Sequence, residues 1–194
     1  MPVPLVSYAD ALPDGTHTAW SMPQVLPEPA HTATGGTYQL PHVDPAGAIC
    51  TTVTNFDPAH SYSCSSIFVD KSTDGAQTCS TIGTPVAVAK TSPLRYANTT
   101  FGDGIEKSFA VGNHLDAQGN YPLYVSYEDY SAGVENILMT ASYDGGAKWS
   151  SPIQVNDNGR AVDEFQPNLT VAAHGTVSDA FYDLRLACPS AGSS

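Results

Sequence analysis

The stretch SYDGGAKW, residues 142–149, sets a Ser, an Asp, two Gly and a Trp within eight positions and runs straight into the alternating segment SSPIQV. Ser142, Asp144 and Lys148 have the group types of a catalytic cluster. Gly145, Gly146 and Trp149 have those of a tight turn pinned by a ring. In turns, Ser and Asp side chains bond local backbone N–H groups and Gly supplies φ > 0. Repetition decides between the two readings. STDGAQTC (72–79) keeps Ser72 and Asp74 and has Cys79 in the place of Trp149. LPDGTHTAWSMPQV (12–25) is a poorer copy, with Asp14, Gly15 and Trp20, one residue too many between Asp and Trp, and a WSMPQV that echoes WSSPIQV. An element that recurs in this way is architecture, so Ser142, Asp144 and Lys148 leave the set of catalytic candidates, and Trp149 is expected to fold back as a plug over the strands that the turn joins.

Working outward, LPHVDPAGAICTTVTNFDP (40–58), KSFAVGNHLDAQGNYPLYVSYED (107–129) and QPNLTVAAHGTVSDAFYDLR (166–185) align with one another. Each reads as an apolar strand, a Gly-containing turn and a second strand ending in an aromatic followed by an acid. The first two continue into a third strand, the Ser-x-Asp turn and a fourth strand. Asp14, Asp74 and Asp144 are spaced by 60 and 70 positions, which suits four-stranded units with variable loops. The chain therefore divides into a partial unit at 1–30, full units at 38–90 and 105–156, and a partial unit at 164–186.

SYDGGAKW resembles the Asp box, SxDxGxTW, of sialidases and other β-propellers with BNR repeats. DEFQPNLTVAAHGTVSDAFYDLR (163–185) is similar to a blade segment, QPxLAVxxxGxVxVxWYDRR, of uncharacterised bacterial members of the sialidase-like superfamily. The resemblance spans about residues 14–186 and implies an all-β fold: a sialidase-like β-propeller of four-stranded antiparallel blades, incomplete in this chain. Ser142, Asp144, Gly146, Trp149, Ser72 and Asp74 would be its structural Asp-box residues. Such motifs specify fold better than activity.

Composition narrows the function. With 7 basic against 19 acidic residues the formal charge is −12, which excludes the Lys/Arg-rich footprint of a nucleic-acid binder. The 16 Gly and 15 Pro, with abundant Thr, Ser, Val and Tyr, favour strands and turns. No apolar run is long enough to span a membrane. The opening MPVPLVSYADALPDG lacks the pattern of a signal peptide, so either the chain is cytosolic or, as expected here for an extracellular or cell-surface protein, its export signal lies outside this sequence. Cys50 and Cys64 flank a segment whose midpoint is Asp57-Pro58. A hairpin turning there would set them opposite each other as a disulfide, the alternative being two buried thiols.

In an up-and-down blade, alternate turns lie on opposite faces. The Ser-x-Asp turns share one face with the Gly-containing turns. The opposite face, which binds substrate in sialidase-like propellers, collects the aromatic-acid ends and the starts of the inner strands. There Asp183, Arg185, Glu164 and Asp129 are the catalytic candidates, and Arg160, Asp163, Glu128, Tyr127 and Tyr182 the substrate-binding ones. Asp57, Glu106 and Lys107 fall on the same rim. Carboxylates converging on a narrow centre invite a cation such as Ca²⁺ or a raised pKa.

A true sialidase, by the resemblance, needs an arginine triad, a Tyr nucleophile assisted by Glu, and an Asp acid/base. Bidentate Arg suits a carboxylate, yet the chain has three arginines in all, and Arg95 lies in a link between blades. Two carboxylates would suffice for other glycosidic chemistry, and no GxSxG is present for a Ser hydrolase. The expected function is a secreted or cell-surface BNR-repeat domain that recognises or processes a glycan or glycoprotein. The alternative is a non-catalytic scaffold or adhesion module binding protein or Ca²⁺. Closed propellers use about four to eight blades, so this portion needs the remainder of the ring or another chain to close.

Overall fold

The computed structural model describes residues 3–26, 36–56, 64–90, 107–157 and 162–186. Its strands are β1 (Leu5–Val6), β2 (Gln24–Val25), β3 (Gly36–Val43), β4 (Ile49–Phe56), β5 (Cys64–Ser72), β6 (Ser80–Lys90), β7 (Lys107–Val111), β8 (Leu123–Asp129), β9 (Asn136–Ser142), β10 (Ile153–Gln154), β11 (Glu164–Val171) and β12 (Val177–Asp183). All pairings are antiparallel. β3 to β6 and β7 to β10 form two four-stranded meanders, and β1–β2 and β11–β12 form two-stranded sheets. The first strands of successive sheets touch in order, β3 against β7 and β7 against β11, while β6 lies against β8 and β9. Sheets stacked face to face about their first strands are the blades of a β-propeller, here an incomplete one.

Strand alternation sets what each face buries. On β8, Leu123, Val125 and Tyr127 join Phe109 of β7 and Cys50, Ile67, Val69, Val86 and Ala89 of the preceding sheet in one apolar cluster. The intervening Ser126 and Glu128 are fully buried on the other face, the side on which Ser108 Oγ accepts the Leu169 N–H of β11 at 2.8 Å. The first inter-sheet seam is therefore apolar and the second polar. A smaller cluster, Leu26 and Val53 with Val6 and Cys79, ties the β1–β2 hairpin to the sheet that follows it.

The two Ser-x-Asp turns are built alike. Ser72 Oγ donates to Asp74 Oδ1 (2.8 Å) and accepts the Ala76 N–H (2.8 Å). Ser142 Oγ donates to Asp144 Oδ1 (3.0 Å) and accepts the Gly146 N–H (2.9 Å). Each Asp also accepts the N–H four residues on, from Thr78 and Lys148, at 2.8 Å. The Thr78 hydroxyl and N–H, with Ser72, hold the Asp74 carboxyl down to about 2, and the Lys148 N–H leads the lowering at Asp144. Trp149 does not merely cover its own blade. Its Nε1–H donates to Gly146 O at 3.0 Å and the ring lies against Gly83 of β6 in the sheet before it.

The copy near Asp14 differs. Ser21 N–H to Tyr8 O (2.9 Å) and Tyr8 N–H to Ser21 Oγ (3.1 Å) repeat the bonds between Ser150 and Ala141 (2.8 and 3.1 Å). Residues 4–26 thus correspond to the third and fourth strands of a blade. The turn is longer, however, and Ala9 stands where Ser142 does, so Asp14 Oδ1 instead accepts the N–H and hydroxyl of Thr16. Trp20, freed from the seam, is 63% exposed against His17.

The expected Cys50–Cys64 disulfide is corrected. β4 pairs β5 with Cys50 opposite Lys71 and Phe56 opposite Ser65, which moves the hairpin centre past Asp57-Pro58. Cys64 then stands beside Lys90 of β6. Cys50, Cys64 and Cys79 are free thiols, and burial pushes Cys50 up to about 11.

Candidate functional site

The ends of β4, β8 and β12 and the starts of β5, β7, β9 and β11 share one rim, and the Gly-containing and Ser-x-Asp turns share the other. On the first rim the sheets bury four charged side chains: Glu128 and Glu164 are 0% exposed, Glu135 1% and Lys107 4%. Removing such ions from water costs several kcal/mol each unless they are paired and bonded.

Lys107 Nζ donates to Thr54 Oγ1 of the preceding sheet at 2.6 Å. Glu128 Oε1 accepts the Gln166 N–H at 2.5 Å. Gln166 has φ +56° at the bulge between Phe165 and Asn168, a left-handed conformation that costs a side-chain-bearing residue about 1–2 kcal/mol, so Glu128 holds strained backbone in place. Glu164 Oε2 accepts from Asn156 Nδ2 at 2.5 Å, and Asn156 Oδ1 in turn accepts the Ile137 N–H at 3.0 Å. Asp163 Oδ1 accepts the Glu135 N–H (2.9 Å), and the Glu164 N–H donates to Glu135 O (3.1 Å). Glu128 through the Gln166 N–H, and Glu164 through Asn156 and the Glu135 carbonyl, thus tie the second meander to the β11–β12 sheet.

Of the other predicted residues, Asp183 stands opposite Glu164 and Tyr127 opposite Lys107 in the strand register, but their side chains are engaged elsewhere. Asp129 Oδ1 accepts the Lys90 N–H (2.8 Å) and, through both oxygens, the N–H and hydroxyl of Ser131. Asp183 and Arg185, expected to be catalytic, form a surface chain: the Arg185 guanidinium bonds Asp183 and Asp157, the latter at 2.6 Å. Those bonds, Asp157 first, raise the guanidinium pKa, and Arg185 lowers Asp157. Tyr127 was expected to touch substrate, but its alternate position on β8 turns the ring into the apolar cluster, and burial pushes its phenol up to about 12. Tyr182 is exposed and stacked on Phe165 at 5.5 Å. Asp57, Glu106 and Arg160 lie outside the described residues. Sequence reasoning missed Glu135, Asn156 and Gln166. For Glu135 the available signal was its place just before β9, in the turn between second and third strands that parity puts on this rim.

On β12, both Asp179 carboxylate oxygens are shut off from solvent and lack a well-formed hydrogen bond among the described residues. Burial raises this carboxyl above the ordinary value, against the opposing pull of Ser126 and the Asn168 N–H. A raised folded-state pKa gives stability that is complete below the unfolded value, about 4, and is lost as pH climbs through the folded one. Asp179→Asn is therefore expected to melt above the parent at pH 7 and level with it at pH 3. Equal melting temperatures at both pH values would contradict the burial effect.

Among the described residues no three His, Cys, Asp or Glu side chains are grouped to hold a metal ion, and no helix is long and apolar enough to cross a membrane. No protein-family model and no curated protein matches the chain. Among solved structures the chain is similar to an alpha-L-arabinofuranosidase of Fusarium graminearum, determined as a point mutant in complex with an iminosugar inhibitor. The two are 16% identical with a TM-score of 0.49, over 77% of this chain and 41% of that one, so the chain spans under half that protein's length.

Proposed function

We propose that this chain is part of a secreted or cell-surface, sialidase-like BNR-repeat propeller that processes glycans through the rim holding Lys107, Glu128, Glu135 and Glu164. The observation that carries the reading is their burial. Desolvating three carboxylates at one strand-end rim is costly, and glycosidic chemistry uses a pair of them held in different environments. The paired Ser-x-Asp turns support the BNR part, since both have the bond set that an Asp box would need. Arg185, tied to Asp157 and Asp183, does not belong to an arginine clamp, so a neutral glycoside suits this rim better than a sialoside.

One observation favours the non-catalytic reading: Glu128 and Glu164 each hold neighbouring groups, Gln166 and Asn156. The test is turnover of a panel of aryl glycosides, a sialoside included, with and without added Ca²⁺. Glu128→Gln and Glu164→Gln keep an acceptor oxygen for those bonds but remove the ionisable group, and a general acid or base is worth about 10²–10⁴ in rate. A loss of that size in either variant, with unchanged circular dichroism, is the expected result. Turnover that survives both substitutions sinks the assignment, and glycan binding without turnover selects the scaffold reading.

A further inference from the structure

On the opposite face, a cleft of about 440 Å³ opens between the two meanders, within the range of about 300–1,000 Å³ usual for small-molecule sites. One wall comes from the Asp44 turn and the end of β5, the other from residues 115–121 of the next sheet, with Leu123 between them. Asp44 is buried, and its Oδ1 is committed to the Ala46 and Ala48 N–H groups, both at 2.9 Å. Its Oδ2 lies 3.8 Å from Lys71 Nζ. That is an ion pair but longer than a hydrogen bond, so the ammonium keeps donors for something else. Leu115, 57% exposed, and Tyr121 give the cleft an apolar flank, and Asn120 adds an amide.

The repeat shows that the Ser-x-Asp turn does not require this lysine. Ala141 occupies the place of Lys71 before the second Ser-x-Asp turn, and that turn forms with the same bonds. The Asp116 turn likewise bonds the Gln118 and Asn120 N–H groups as Asp44 bonds its own, with no cation paired to Asp116 among the described residues.

We infer that this cleft is a second, non-catalytic binding site for a neutral saccharide. Lys71 and Asp44 Oδ2 form an adjacent donor and acceptor of opposite charge, suited to neighbouring hydroxyls. The Tyr121 ring and Leu115 take the C–H face of a sugar ring. The balanced pair and the net charge of −12 disfavour an anionic ligand. This inference stands independently of the rim on the other face.

The experiment is saturation-transfer NMR and calorimetric titration of the chain with lactose and cellobiose, with methyl glucuronide as the charged comparator. A neutral disaccharide is expected to bind, at least about tenfold more weakly to Lys71→Ala and to Tyr121→Ala, and Lys71→Ala should leave any turnover at the opposite rim unchanged. Ala141 shows that the Ser-x-Asp turn accepts alanine before it, and melting temperatures of both variants, expected within a few degrees of the parent, separate lost binding from misfolding. Absence of binding, binding indifferent to both substitutions, or preference for methyl glucuronide would overturn the inference.

Discussion

Phe109→Ala is expected to lower unfolding stability by about 3–5 kcal/mol, the cost of emptying a large aromatic site that cannot collapse. Phe109 is fully buried and meets His42 edge-on at 5.4 Å. It sits at the centre of the cluster that welds the two meanders, with Ile67 and Val69 on one side and Val125 beside it. Backbone ladders on both sides fix the walls, so the cavity persists. Urea denaturation followed by fluorescence measures the loss. A change below about 1 kcal/mol would mean that the seam repacks around the gap. The seam between β8 and β11, closed by Ser108 and Glu128, should be little altered, because Phe109 faces away from it.

Gly83→Ala is expected to be nearly as damaging through the opposite fault. A Cβ at Gly83 would lie 2.1 Å from Gly146 O and 2.8 Å from Trp149 Nε1. The indole could swing away, but the carbonyl is backbone and moves only with the turn, which the Ser142 hydroxyl anchors through the Gly146 N–H at 2.9 Å. Overpacking of this kind costs about 1–3 kcal/mol, here with loss of the Trp149 to Gly146 bond as well. In a Trp149→Ala background the second contact vanishes and the first remains, so the two substitutions should combine to less than their sum. Thermal melts of the four proteins check this. Strict additivity would show that the ring and the bare strand do not share one site.

The fold was legible because the sequence repeats. Glycine turns, period-two strands and the Ser-x-Asp element recur, and each is a local signal. The Cys50–Cys64 expectation failed because the register is set by the whole β4–β5 ladder and not by the midpoint between two cysteines. Tyr127 was misplaced for a related reason. Its aromatic-acid motif marks a strand end correctly, but one step along β8 decides whether a side chain enters the apolar seam, as Tyr127 does, or the polar one, as Glu128 does. The rim could be assigned from turn parity alone. Glu135 and Asn156 could not be singled out within it, because their roles depend on contacts between sheets, for which a single strand carries no pattern.

The pairing of Trp149 with Gly83 has a wider use. Cys79, in the same place one blade earlier, meets Leu26 and Val6, where the seam is filled by side chains. The indole is admitted only where the preceding outer strand is bare. Across related chains, a Trp at the end of this turn should therefore covary with a glycine in the blade before it, and a smaller residue with a bulky partner. Such couplings would record which blades are neighbours, and so give the order of blades around a ring from sequences alone.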